Sequence, residues 1–144
     1  MAITSAICNT FKTEILKAVH NFTASSGNTF NLALYTSSAT LNKSTTAYTT
    51  ANEVATATGY TAKGKALTSV TPVLSSDTAV CDFANVSWTS ASFTARGCLI
   101  FNDTASGDPA VCAIDFGGDK TVTSGTFTIE FPAASAGTAI IGIA

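Results

Sequence analysis

Two different spacings of apolar residues divide the chain. Over residues 5–22, Cys8, Phe11, Ile15, Val19 and Phe22 recur at steps of three and four, which lines them along one stripe of an α-helix. Thr13, Glu14, Lys17 and Asn21 fall largely elsewhere on the wheel. Thr4 or Ser5 suits the start, and Gly27 within TASSGN suits the stop. This predicts one N-terminal helix over 5–22 that covers a sheet edge or face, with insertion into a partner as the sharper role.

After Gly27 the spacing changes to alternation. Phe30, Leu32 and Leu34 alternate with Asn31, Ala33 and Tyr35, which predicts a half-buried strand. Residues 37–62 are rich in Ser, Thr and Ala with no firm period, so they read as a long excursion of the kind that often makes contacts. Further strands are predicted at 66–74, 78–88, 92–101, 110–116, 126–131 and 138–143. Turn residues separate them at 75–77, 103–109, 117–118, 124–125 and 133–137. The expected fold is mainly β: a single-domain antiparallel β-sandwich, jelly-roll-like, with one N-terminal α-helix. Residues 1–144 form the one domain, the sandwich running from about 28 to 144.

Composition narrows the function. Hydrophobic residues make up 46% of the 144, enough for a core, while charged residues make up only 11%. That is well below the roughly 25% of an ordinary soluble protein. The resulting surface, rich in Ser, Thr, Asn and Gly, repels itself weakly and suits a protein packed against neighbours. Net charge is −2, and the basic residues Lys12, Lys17, Lys43, Lys63, Lys65, Arg96 and Lys120 are scattered. A clustered basic face of the sort that displaces counterions from nucleic acid is missing. No run of about 20 apolar residues marks a membrane span. The opening residues lack the pattern of a secretory signal, so the expected birthplace is a reducing cytoplasm. The sequons at Asn21, Asn42, Asn85 and Asn102 are then accidents of composition.

The candidate chemistry is thin. GYTAKGKA, residues 59–66, has the glycine and lysine spacing of a phosphate-binding loop. Such a loop needs a buried strand before it, a helix after it, and Ser or Thr following the lysine. Here the upstream residues are not a core strand, the downstream residues read as β, and position 66 is Ala. Gly59 and Gly64 more simply shape the approach to a strand. His20, the single histidine, sits where a cation would complement the end of the predicted helix. One histidine without a Cys, Asp or Glu cluster is too little for zinc, and no G-x-S-x-G elbow selects a serine.

Asp115 and Asp119 in DFGGDK, and Asp103 with Asp108, read as solvated turn carboxylates. Trp88 reads as a core or interface aromatic. The cysteines Cys8, Cys81, Cys98 and Cys112 form no C-x-x-C. A symmetric hairpin around NDTASGD, residues 102–108 with Ala105 at its centre, sets Cys98 opposite Cys112 and Ile100 opposite Ala110. The expected state is still two free, buried thiols. No catalytic residue, cofactor or metal ligand is assigned.

The blocks NEVATATGYTAKG (52–64), WTSASFTARGCLIFND (88–103) and DFGGDKTVTSGTFTIEFP (115–132), with ICNTFKTEIL and NLALYTS near the start, resemble a small structural protein of tailed bacteriophages. The resemblance runs over nearly the whole chain. It implies a non-catalytic virion protein, best placed as a capsid decoration or cement protein. Such a protein sits on the capsid exterior, binds the major capsid protein of the assembled shell and associates with itself as a dimer or trimer. The other reading is a tail-fibre module that binds a receptor or glycan through Tyr48, Tyr60, Trp88 and Asn102. A fibre subunit usually carries elongated repeats or a stalk, and neither is present.

Overall fold

The computed structural model describes residues 2–57 and 59–144; Met1 and Thr58, the latter within the predicted excursion, lie outside the described residues. The elements run β1 (Ala6–Ile7), α1 (Asn9–Leu16), β2 (Phe30–Tyr35), β3 (Lys65–Ala66), β4 (Ser69–Ser75), β5 (Thr78–Phe83), β6 (Val86–Asn102), β7 (Ala110–Ile129) and β8 (Ile141–Ile143). They make two antiparallel sheets, one of five strands in the order β1-β7-β6-β2-β3 and one of three in the order β4-β5-β8. The mainly β, sandwich-like architecture with one N-terminal helix is as expected.

The helix is shorter than its apolar stripe implied. Ala6 and Ile7 pair with Ala113 and Cys112 of β7, so the first residues of the predicted helix are strand. At the other end Ala18 adopts φ 58. Its N–H donates to the Ile15 carbonyl at 3.2 Å, and the Val19 N–H donates to Glu14 at 3.0 Å. These two bonds form a Schellman stop, in which the residue after the cap turns left-handed. The position is usually Gly, and an Ala there leaves no mark in the sequence. Val19 to Phe22 therefore leave the helix axis, yet Phe22 still reaches the core, where its ring stacks on Phe30 at 4.3 Å and 3°. Phe83 of the three-stranded sheet lies 6.0 Å from Phe30. Each such ring contributes about 1.5–3 kcal/mol by leaving water, and together they join the two sheets.

The five-stranded sheet is dominated by the β6–β7 hairpin, strands of 17 and 20 residues. Two predicted turns, at 117–118 and 124–125, lie inside β7 and are bulges instead. Lys120 pairs with Ala95 and Asp115 with Gly97, so residues 116–119 of β7 stand against Arg96 alone. Val122 pairs with Phe93 and Gly125 with Ala91, a second bulge, where Ser124 has φ 46. Gly and Ser at positive φ serve a turn and a bulge equally well, and a bulge keeps the strand going while bending it.

The predicted strand over 66–74 is split. Lys65 and Ala66 pair with β2, whereas Ser69 onward pairs with β5. The predicted strand over 78–88 likewise changes sheet: β5 ends at Phe83 and Val86 opens β6. Trp88 thus belongs to the larger sheet. The last strand is limited to Ile141–Ile143, paired with β5.

The excursion over 37–62 is a covering layer more than a free loop. Ala39, Leu41, Val54 and Tyr60 in it are buried. The Val54 N–H donates to the Leu34 carbonyl and the Thr36 N–H to the Asn52 carbonyl, extending pairing along β2. Tyr48 stacks on Phe101 at 4.7 Å.

Candidate functional site

The phosphate-loop lookalike is built for another task. Gly64 has φ 66, and a Cβ there would stand 1.8 Å from the Leu32 carbonyl oxygen. Only glycine lets the chain pass so close to β2 on its way into β3. No helix follows, as the failed motif predicted. The Lys63 Nζ lies 2.9 Å from Asp103 Oδ1 and 2.8 Å from Asp108 Oδ2. The two turn carboxylates are therefore brought together on one ammonium, which ties residues 59–64 to the β6–β7 turn. Hydrogen bonds to Asp103 first, then Asp108, raise the Lys63 ammonium above the ordinary lysine range. Its charge is committed before any phosphate arrives.

Glu53 is a second convergence that the sequence did not announce. Its Oε1 accepts the Tyr60 hydroxyl at 2.7 Å and the Lys63 backbone N–H at 2.7 Å, and its Oε2 accepts the Tyr48 hydroxyl at 2.5 Å. The Tyr60 oxygen in turn accepts the Leu34 N–H at 2.9 Å. Burial, opposed by that backbone bond, holds the Tyr60 phenol well above its usual range. Two phenols and a carboxylate resemble an acid–base set. Every polar atom of this set, however, is engaged in fixing the covering layer against β2.

His20 lies beyond the helix rather than on its last turn. Its ring is enclosed by Phe11 at 4.9 Å, Phe30 at 6.1 Å and Phe22 at 6.4 Å. Nε2 is 3.4 Å from Glu14 Oε1 and Nδ1 is 3.2 Å from Asn102 Nδ2. Burial, outweighing the Glu14 carboxylate, lowers its basicity below that of a free histidine. The ring is neutral near pH 7, so it does not act as the helix-capping cation that its position suggested.

Asp115 is an ion-pair partner within β7 rather than a turn carboxylate. Its Oδ1 accepts the Gly117 N–H at 2.9 Å and the Arg96 Nε–H at 3.0 Å, and these hold its carboxyl below the ordinary range. Among the described residues no three His, Cys, Asp or Glu side chains converge as metal ligands.

All four cysteines are free, and Cys98 and Cys112 are buried as expected. Their register differs from the symmetric one. Cys98 faces Ile114 and Cys112 faces Ile100, because the turn closes one residue later, with Phe101 opposite Ala110, and a bulge between Ile100 and Phe101 adds one more. Burial raises both thiols, Cys112 to about 12.

Trp88, Tyr60 and Asn102 are buried and Tyr48 is half-buried. The residues that suggested a glycan platform are thus largely inside the molecule. What the surface does offer is apolar. A hollow of about 900 Å³ lies along β7, walled by Ile7, Phe116, Val122, Phe127 and Ile129, with Lys120 and Glu130 as its charged lining. Beyond the two residues covered by β1, β7 has no strand on its outer side among the described residues. An open edge presents unpaired N–H and C=O groups beside the hollow. On the smaller sheet Leu74 and Ile143 are exposed and pair with the same residue, Ala79. Leu16, at the end of α1, is 88% exposed.

No protein-family model, curated protein or solved structure matches the chain.

Proposed function

We propose that this chain is a non-catalytic structural protein of a bacteriophage virion, a decoration or cement protein that grips the outside of the assembled capsid shell. The observation that carries this reading is the apolar hollow beside the open edge of β7. Such a face suits adhesion by added strand pairing and by side chains seated in a hollow. The polar convergences at Glu53, Lys63 and His20 are each closed on themselves, so none is free to work on a substrate.

In this reading the partners are the major capsid protein and further copies of the chain, as a dimer or trimer. Binding only to the assembled shell stabilises it by mass action. An oligomer gripping several subunits gains further through effective concentration, so each contact can be modest. The low charge of the surface, 11% charged residues, fits a protein that lives against neighbours.

Quantitative mass spectrometry of purified particles tests this. Copies in the hundreds, near the capsid subunit count, support shell decoration. A handful of copies overturns it and returns the tail-fibre reading, and none overturns both.

A further inference from the structure

The orientation of Asn102 is fixed by its neighbours. Its Oδ1 accepts the backbone N–H groups of Thr104 at 3.0 Å and Ala105 at 3.1 Å. Two donors require an oxygen there, so the amide nitrogen points the other way. That Nδ2 faces Asn28 Oδ1 at 3.0 Å, His20 Nδ1 at 3.2 Å and the Val19 carbonyl at 3.3 Å. Nδ1 therefore meets a donor and carries no proton of its own. The imidazole proton sits on Nε2, aimed at Glu14 Oε1.

A proton added to His20 has only Nδ1 to bind. It would then stand donor to donor against an amide with no spare lone pair. The acceptors on that side, Asn28 Oδ1 and the Val19 carbonyl, are already engaged by the Asn102 amide, and Phe11, Phe22 and Phe30 enclose the ring. Glu14 from α1 faces Nε2 and favours the cation, while the segment after α1 contributes the uncharged Asn28. Across the adjoining groove stands the Cys81 thiol of β5, which burial raises to about 11 and keeps neutral. No charged side chain lines that groove among the described residues.

Relief comes if the Asn102 amide turns over. Its oxygen then accepts the new Nδ1 proton but gives up the bonds to Asn28 Oδ1 and the Val19 carbonyl, and its NH₂ swings onto the Thr104 and Ala105 amides, which lose their acceptor. We propose that the His20–Asn102 pair is an acid-responsive joint, in which proton uptake at Nδ1 releases the β6–β7 turn at 103–109. The joint links the segment leaving α1 to a turn 82 residues further along the chain. It stands on hydrogen-bond polarity alone and is independent of the capsid assignment.

The test is a pH titration of the full chain by NMR, following the His20 ring and the Thr104 and Ala105 amides. At neutral pH the ring is expected as the Nε2–H tautomer. As it titrates, the two turn amides shift with the same midpoint and exchange about tenfold faster, the loss of one buried hydrogen bond. In Asn102→Asp the carboxylate accepts both the turn amides and a protonated Nδ1. There the His20 midpoint rises by about one pH unit or more and the turn stays protected.

Turn amides that ignore the titration overturn the proposal, as does an Nδ1–H ring at neutral pH. An unshifted midpoint in Asn102→Asp also overturns it, and so does global unfolding before the ring takes up its proton. If Asn102→Asp does not fold, the wild-type titration decides alone.

Discussion

The ammonium of Lys63 stands 2.8 Å from the carboxylate of Asp108. The lysine that would hold a phosphate in a nucleotide-binding loop here pins the covering layer to the β6–β7 turn, with Asp103 as its second partner. The Lys63 side chain is 43% exposed, so solvent screens the pairs and each contributes about 0–1 kcal/mol. Lys63→Met is expected to lower stability by about 1 kcal/mol, less in high salt. Because the folded-state basicity of Lys63 is raised, this contribution is whole below the ordinary lysine range and fades only as pH climbs beyond it. Urea midpoints at two salt concentrations check the size and the screening.

Ala18 closes the helix at φ 58 without the glycine that usually does so. An L-residue in that conformation costs roughly 1–2 kcal/mol relative to glycine's free access to it. Ala18→Gly is therefore expected to raise stability by about 1 kcal/mol, or about 3 °C in melting temperature, even though it adds a flexible residue. Calorimetry reads the sign directly. A lower melting temperature would mean that the Schellman stop does not form.

Tyr60→Phe removes one oxygen and leaves two groups unserved, the Leu34 N–H and one bond to Glu53. Burying an unpaired donor costs about 1–3 kcal/mol. The loss is expected to appear as destabilisation together with faster proteolysis across residues 48–63, since Glu53 then holds only Tyr48 and the Lys63 backbone. Limited digestion followed by mass analysis locates the cut.

Much of the fold is legible in the sequence, and the places where it is not share a cause. The alternation of Phe30, Leu32 and Leu34 marks β2, but the half-buried strand it predicts is buried on both faces, Ala33 and Tyr35 included, because the covering layer closes over the second face. The hairpin turn is legible in Asn102 to Pro109 because Gly107 and Asp108 take positive φ. Elsewhere the same residue types serve two geometries. Gly117 and Ser124 mark bulges in a strand that continues, and Ala18 ends a helix that the apolar stripe carries on to Phe22. The convergence at Glu53 depends on which loop residues fold back over β2, so no spacing reveals it. The Asn102–His20 contact spans 82 residues and depends on the helix stopping early, which the sequence concealed.

The thiols test the core. Burial raises Cys8 to about 11 and Cys81 to about 11, and raises Cys98 and Cys112 as well. Thiolate, the reactive form, is scarce in all four at neutral pH. Cys81 is partly exposed and the other three are buried. Alkylation of the native protein is expected to be slow, with Cys81 first. The intact mass is expected to correspond to four reduced thiols. Early modification of Cys98 or Cys112 would show that the sheet opens near β1.

The hollow along β7 gives the adhesion reading its sharpest test. Thr126 is exposed and lines it, and no side-chain hydrogen bond of the described residues uses its hydroxyl. Thr126→Arg should leave the melting temperature nearly unchanged, since surface changes of this kind stay within about 0.5 kcal/mol. It sets a charge where a partner's apolar surface would close, and desolvating that charge without a counter-ion is costly. Attachment to purified shells is expected to weaken by about tenfold or more. Leu16→Lys is the matched control on a different face: Leu16 is 88% exposed and lies outside the lining of the hollow. If the leucine variant loses attachment while Thr126→Arg keeps it, the grip lies at the end of α1 and the open edge of β7 has no part in it. If both variants bind as the parent does, neither face holds the shell.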